Sequence, residues 1–394
     1  MLTPEDFWDS LGSDLQDRKQ KGLLRSLVPS AALGPTQVLR HGKRLLHFAS
    51  NDYLALAWNP EIRKQYNQIA PSIPTGSGSS PLILGSSEQY LRLVKTIAMW
   101  QESQSAVVFP SGYAANLGTL SALATPDDLI LSDSLNHACL IDGCRLSKAT
   151  VKIYPHADTN ALRDILATHR SGFRMAFIVT DTVFSMDGDI APIQQIESLC
   201  REFDAIGLAD EAHASGVLGR QGRGALELAQ ADRSLWIKTG TLSKAIGCVG
   251  GYVVGSDLLC QTLIHRARSL IYSTALPPSI LGAANCAIEI LQQMDYQRQT
   301  LLQMSQSLRE QLTHHGFRTS DARTPIVPIY MAGPHEAIAL SNRLLESGIY
   351  VPAIRPPTVP SNGCLLRVSL NAAHTIEDCQ RLVDQLRPKQ YRYS

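Results

Sequence analysis

Between Asn51 and about Pro278, short and nearly uninterrupted apolar runs alternate with stretches of helical periodicity. The runs fall at residues 106–109, 129–131, 151–154, 175–180, 206–209, 235–237 and 252–254. Strands that are apolar on both faces need helices on both faces, so the pattern predicts an α/β fold around a mostly parallel sheet. Before this region, a polar stretch over residues 7–27 predicts a helical arm ended by Pro29, and residues 45–49 read as a short strand. After it, a helix over 336–345, a strand over 365–370 and a closing helix over 376–386 predict a smaller α+β domain. The expected division is an N-terminal arm (1–50), a large α/β domain (51–280) and a C-terminal domain (281–394). No internal repeat, low-complexity tract or flexible linker interrupts it.

At 394 residues and 43.0 kDa, the chain is long enough for a large core plus a second domain. Its 36 basic and 35 acidic side chains leave a net charge of +1, which calls for neither nucleic acid nor an anionic membrane as partner. The eight cysteines are scattered, with no C-x-x-C and no spacing typical of a metal site, and read as reduced thiols. The start is acidic and lacks the apolar core of a secretory signal. The uncharged stretch 103–126 is broken by Gly, Pro, Ser and Asn, so it does not read as a membrane span. A cytoplasmic location is expected.

Candidate chemistry gathers where strands end. Asp210-Glu-Ala-His213 closes one apolar run, and Lys244, 31 residues beyond His213 (244 − 213), follows another in Thr241-Leu-Ser-Lys244. In an open α/β sheet, ligands bind at the carboxyl ends of the strands. A carboxylate, an imidazole and an amine there match what pyridoxal 5'-phosphate requires of a protein; singly, each residue reads as a cap or an exposed charge. Phe109-Pro-Ser-Gly112-Tyr113-Ala-Ala-Asn116 leaves a strand and opens a helix, so the N–H groups of Gly112 and Tyr113 are free to receive a phosphate, although Ser and Gly are also ordinary turn residues. Thr241 and Ser243 add hydroxyls to the same phosphate site. His137 sits at a strand-to-helix junction, where its ring is able to stack on a pyridine; the plainer alternative is a cap made by Asp133, Ser134 or Asn136 with His137 merely exposed. Asp181 and Ser185 face the same crevice from a turn whose Asp and Gly content needs no function to explain it. No G-x-G-x-x-G opens a helix after a strand, which argues against dinucleotide binding.

Ser50-Asn-Asp-Tyr-Leu54, Thr75-Gly-Ser-Gly78, Ser111-Gly-Tyr-Ala-Ala-Asn116, Phe184-Ser-Met-Asp-Gly-Asp189, Asp210-Glu-Ala-His213, Thr241-Leu-Ser-Lys244, Tyr272-Ser-Thr274 and Arg355-Pro-Pro-Thr358-Val-Pro360 run in order along nearly the whole chain. Together they resemble the α-oxoamine synthases, pyridoxal-phosphate enzymes of the aspartate-aminotransferase-like fold (fold type I). The resemblance implies that Lys244 holds the cofactor covalently, Asp210 pairs with its ring nitrogen and His213 contacts its phenolic oxygen. It further implies stacking by His137 and polar contacts from Gly112, Tyr113, Ser185 and Thr241. Thr274 would reach the cofactor of a neighbouring subunit, which makes a homodimer the working unit. Arg367 would hold the amino acid's carboxylate, although a strand arginine on a small domain is more often a surface charge. Arg25, Asn51, Arg355 and Thr358 would contact substrates.

The run at 355–360 is similar to the member that joins L-alanine to a pimeloyl thioester, carried on coenzyme A or acyl carrier protein. A glycine-using sister remains the nearest alternative, and a plain aminotransferase stands further off. A catalytically silent scaffold subunit is the alternative from another class, against which Lys244 argues. Three positions depart from the family pattern: Pro81 where arginine is usual, Tyr90 where histidine is common and Asp181 where glutamate is usual. They are expected to bear on the acyl-side pocket and not on the cofactor.

Overall fold

The computed structural model describes residues 2–386. Seven strands form the main sheet: β1 (Ser105–Phe109), β2 (Leu129–Asp133), β3 (Thr150–Tyr154), β4 (Ala176–Asp181), β5 (Ala205–Asp210), β6 (Trp236–Thr241) and β7 (Gly251–Gly255). Their spatial order is β1-β7-β6-β5-β4-β2-β3. β7 runs antiparallel to both neighbours, and the remaining pairings are parallel. Both faces are covered, as the apolar runs require. Leu129, Leu131 and Ile178 pack on one face with Leu162, Leu166, Ile196 and Leu199, while Ile130, Phe177 and Val179 pack on the other with Leu120 and Leu140. The alternation of residues 129, 130 and 131 between faces is the two-residue period of a strand buried on both sides.

The chain forms two compact units. The larger comprises Asn51–Ser185 and Asp189–Thr300; the smaller gathers the residues up to Ser50, Met186–Gly188 and those from Leu301 onward. Three expectations change. The second boundary falls at Thr300 and not at 280, because the helix Pro278–Leu291 buries most of its length against the helices Pro60–Ile69 and Glu88–Trp100 of the larger unit. The first fifty residues are no separate arm, because Lys43–His47 pairs in parallel with Ile349–Tyr350. The N-terminal helix spans Pro4–Gln20, opened by a Thr3–Asp6 capping box. It ends well before Pro29, since Gly22 adopts a left-handed φ of 67° that a helix cannot continue through.

Several elements of the smaller unit escaped the sequence reading, the short strands Ser30–Ala32, Gln37–Arg40, Ile349–Tyr350 and Ala353–Ile354 among them. Ile326–Tyr330 pairs antiparallel with Leu365–Ser369, and Asp295–His314 is a helix whose residues from Leu301 onward lie in this unit. In the same unit the His374 ring stacks on Phe48, with centroids 4.6 Å apart. Its Nδ1 accepts the Asn371 N–H at 3.0 Å, which leaves Nε2 to donate to the His47 carbonyl at 3.0 Å. Burial pushes His374 below its ordinary range; burial first, and then His374, pushes His47 down to about 4.

Both rings are therefore neutral in the fold and bind protons more readily when unfolded. Their contribution is intact above the unfolded value near 6.5 and is lost as pH falls toward the folded values. Thermal unfolding should show stability declining by roughly 2 kcal/mol between pH 7 and pH 5, with a shallower decline in His47→Gln. A flat profile across that window, or an unaltered slope in the variant, would contradict this account.

Candidate active site

The carboxyl ends of the main sheet carry the chemistry. Phe109, Asp133, Asp181, Asp210 and Thr241 are each the last residue of a strand. Asp210 is buried; Oδ1 accepts the Ala212 N–H at 2.8 Å and Oδ2 accepts from Asn116 Nδ2 at 2.6 Å. Glu211, the next residue of the motif, points elsewhere: it accepts the N–H groups of Ala225 and Leu226 and lies 3.8 Å from Lys238. His213 is buried, with Nδ1 2.7 Å from Tyr53 Oη, which also lies 3.3 Å from Asn51 Oδ1. Tyr53 was not singled out in the sequence. Its only signal was its place in the motif that contains Asn51.

Lys244 is half-buried on the turn after β6, where its carbonyl accepts the Gly247 N–H at 2.8 Å. Its charge is felt at His137, Cys139 and Asp181. His137 is itself the cap of the helix Ala138–Ser147, so the expected caps Asp133, Ser134 and Asn136 are not used there. Its Nδ1 accepts the Cys139 N–H at 3.2 Å, which assigns the ring proton to Nε2, and its own N–H donates to Asp181 Oδ2 at 2.6 Å. Burial holds this imidazole below its ordinary range, with Asp210 opposing and Lys244 adding to the effect. The ring is therefore flat and uncharged near neutral pH.

Burial, and then the charge of Asp210, pushes the Asp181 carboxyl well above the usual range. Asp181 is the register partner of Asp210, at the strand-end crevice where the sequence placed it. Asn136 supports it, accepting the Asp181 N–H at 2.9 Å and donating to the Val179 carbonyl at 2.8 Å. His156, which the sequence did not mark, lies between Asp133 (3.0 Å) and Asp189 (2.8 Å). Burial lowers it, but the two carboxylates together raise it to about 10. A lone histidine two residues after a strand gave no signal.

The phosphate expectation is tested by the opening of the helix Gly112–Leu123. Ser111 caps it by accepting the Ala114 N–H at 3.0 Å, and the N–H groups of Gly112 and Tyr113 precede the first intrahelical bond. A Cβ added at Gly112 would lie 3.1 Å from Thr241 Cβ and 3.3 Å from its Oγ1, so the helix end and this hydroxyl face one small space. Thr241 Oγ1 is 2.7 Å from Ser243 Oγ. Thr241 Oγ1 donates to the Gly250 carbonyl at 2.9 Å, so two main-chain N–H groups, the Ser243 hydroxyl and a helix dipole form the donor set suited to a dianion. With a lysine and a buried carboxylate on the neighbouring strand ends, the residues present fit pyridoxal phosphate.

Other expected residues are placed differently. The Tyr113 ring meets His137 edge-on, with centroids 6.2 Å apart, and its hydroxyl donates to Asp142. Ser185 is half-buried, and Thr274 is exposed on the loop before the helix Pro278–Leu291. Tyr90 buries its phenol and bonds the Val108 carbonyl at 3.2 Å, and Pro81 is buried at the start of the helical turn Pro81–Gly85. In the smaller unit, Arg25 Nη2 reaches Thr358 Oγ1 at 2.9 Å and the Arg355 carbonyl at 3.3 Å, while Arg355 bonds the Gly22 carbonyl. Among the described residues no carboxylate forms an ion pair with either arginine. Arg367 is buried in the central strand of its three-stranded sheet, bonded to Ser369 Oγ, which rules out the surface-charge alternative. Among the described residues there is no group of three or more metal-ligating side chains, and no helix is long and apolar enough to cross a membrane.

Residues 43–386 match the family model "Aminotransferase class I and II". Serine palmitoyltransferase from S. paucimobilis, solved with pyridoxal phosphate and myriocin, superposes with a TM-score of 0.92 at 26% identity, covering 98% of this chain and 97% of that one. The chain belongs to the class I and II aminotransferase family, as a pyridoxal-phosphate enzyme of fold type I. Within that family, the 8-amino-7-oxononanoate synthase of Geobacter sulfurreducens is 41% identical over 95% of this chain and 96% of its own. That of Lysinibacillus sphaericus is 40% identical over 96% and 97%. A solved synthase of the same name from Francisella tularensis has a TM-score of 0.75 at 30% identity, covering 86% of this chain and 96% of that one.

Proposed function

We propose that the chain is an 8-amino-7-oxononanoate synthase: it condenses L-alanine with a pimeloyl thioester, releasing carbon dioxide and the free carrier thiol, in biotin biosynthesis. The observation that carries this reading is 41% identity spread over 95% of the chain to a protein of that name. The cofactor, held by Gly112, Tyr113, Thr241 and Lys244, supplies an electron sink for a carbanion beside an amino group. Asp210 would keep the ring nitrogen protonated, His213 and Ser185 would hold the cofactor through hydrogen bonds, and His137, neutral and flat, would stack on it. Lys244 Nζ takes the proton from alanine Cα as general base and later returns one. Between those transfers, Cα bonds to the acyl carbon, the thiolate leaves and the carboxylate departs as carbon dioxide.

Arg367 holds alanine's carboxylate, for which a guanidinium fork is suited. Arg25, Arg355, Thr358 and Asn51 serve the substrates, and the two arginines suit an acyl chain or carrier that ends in an anion. Thr274 completes the site of a second subunit in a cytoplasmic homodimer, with coenzyme A or acyl carrier protein delivering the acyl group.

Carbon dioxide release should be measured over a grid of glycine, alanine and serine against acetyl, pimeloyl and long-chain acyl thioesters. One methyl is worth about 1 to 3 kcal/mol to a pocket, so alanine should exceed glycine by roughly 10- to 200-fold in kcat/KM. Pimeloyl should exceed acetyl, and Arg25→Ala and Thr358→Ala should raise the KM of the acyl substrate more than that of alanine. A preference for glycine with acetyl coenzyme A, or for serine with a long-chain thioester, would overturn the assignment and leave the family standing.

A further inference from the structure

Asn116 lies inside the helix Gly112–Leu123, where its side chain is buried. Asparagine is a poor residue for a helix interior, and a buried amide costs free energy unless its donors and acceptor are matched. Here they are matched completely. Nδ2 donates to Asp210 Oδ2 at 2.6 Å and to Cys139 Sγ at 3.2 Å, while Oδ1 accepts from Thr239 Oγ1 at 2.6 Å. Thr239 is fully buried, and its Cα is the register partner of Asp210 across the β5–β6 pair. The hydroxyl donates to the amide oxygen at 2.6 Å, with the Ala209 carbonyl a longer second acceptor at 3.4 Å, and the Asp210 carboxylate, which only accepts, selects the orientation that points Nδ2 at it. Turned over, it would set its oxygen against the carboxylate. Asn116 also stands four residues after Gly112, on the same face of the helix that opens at the phosphate donors.

We propose that Asn116, oriented by Thr239, is a positioning residue for Asp210: its amide keeps that carboxylate ionised and fixed so that it holds the proton of the cofactor's ring nitrogen. The inference rests on the pyridoxal-phosphate reading and goes beyond it, since neither Asn116 nor Thr239 touches the cofactor in this account. A charge-assisted hydrogen bond favours the charged partner, so its removal raises the carboxylate's own affinity for a proton. In Asn116→Ala the proton shared with the ring nitrogen therefore passes toward Asp210, and the electron sink weakens.

The test uses the whole protein loaded with pyridoxal phosphate labelled with nitrogen-15 in the ring. In Asn116→Ala the ring-nitrogen resonance should move from the pyridinium position toward that of neutral pyridine. kcat should fall roughly 10- to 100-fold, with the KM for the amino acid changed much less. Thr239→Val should move both readings in the same direction by a smaller amount, and Thr239→Ser should restore them. On an Asp210→Asn background, Asn116→Ala should cost nothing further, because a residue that acts only through Asp210 has nothing left to act on. A purely structural pin would lower the melting temperature, leave the resonance in place and add its full loss to Asp210→Asn; that result overturns the proposal. If Asn116→Ala does not fold, the Thr239→Val and Thr239→Ser pair decides by the same two readings. Wild-type protein that takes up no pyridoxal phosphate would overturn the parent reading as well, whereas uptake with an unmoved resonance in the variants overturns this inference alone.

Discussion

Lys244→Ala protein should fold, retain noncovalently bound cofactor and turn over substrate at least about 10³-fold more slowly than wild type. Two losses combine. In the proposed reaction the amine is the general base at alanine Cα, and a positioned base contributes roughly 10²- to 10⁴-fold. In the same proposal it is the covalent hold on the cofactor, so borohydride treatment should fix cofactor to wild-type protein at the peptide containing Lys244 and fix none to the variant. Cofactor binding should persist, because the donors at Gly112, Tyr113 and Ser243 do not involve the lysine. The charge change has a second reading. The Lys244 charge helps to lower both His137 and Asp181, so its removal should raise the pH at which each titrates. Peptide mapping after reduction is the decisive measurement. Modification at another lysine, or near wild-type turnover without Lys244, would end this assignment.

Asp210→Asn should lose at least about 100-fold in kcat while keeping the fold and part of its cofactor affinity. The substitution retains the size of the side chain and removes its charge. A charge-assisted hydrogen bond of this kind is worth roughly 1.5 to 3 kcal/mol, and loss of the protonated ring nitrogen weakens the electron sink in addition. The local network also responds. Asp210 is a main cause, after burial, of the raised Asp181 carboxyl, so without that charge Asp181 should titrate at lower pH, closer to an ordinary aspartate. His137 loses the neighbour that holds it up and should fall further below its usual range. Steady-state kinetics over pH 5 to 9, with carboxyl and imidazole titrations followed by NMR, would show both shifts. Turnover within a few-fold of wild type would refute the role given to Asp210.

The sequence by itself determined the sheet and the ends of its strands. Seven apolar runs became seven strands, because a strand buried on both faces must be apolar throughout and such runs have few other uses. The positions of Asp210, Lys244, His137, Gly112 and Tyr113 at or just after strand ends and at helix starts were legible, because the flanking apolar runs and turn residues mark where those elements end and begin. Other elements were hidden by their composition. Ile326–Tyr330 was not foreseen, and although a strand was expected over residues 45–49, its pairing as Lys43–His47 with Ile349–Tyr350 was not, because a five-residue strand carries no periodicity long enough to mark its partner. The helix Pro278–Leu291 is apolar nearly all round, so the sequence did not show that it belongs to the larger unit; its packing decided that.

At the site, only tertiary structure decided which polar residues serve which neighbours. Asp181 and Asp210 stand opposite each other in register across β4 and β5, which placed a second carboxyl beside Asp210. Tyr53 met His213 across 160 residues of chain, and Asn116 met Asp210 across 94. Glu211 and His213, two residues apart in one motif, serve separate networks. Local sequence fixes the type of side chain and the element that carries it. A hydrogen bond of 2.6 Å between residues far apart in sequence, such as that from Asn116 to Asp210, depends on strand register and helix packing, and these are settled only when the whole sheet has formed.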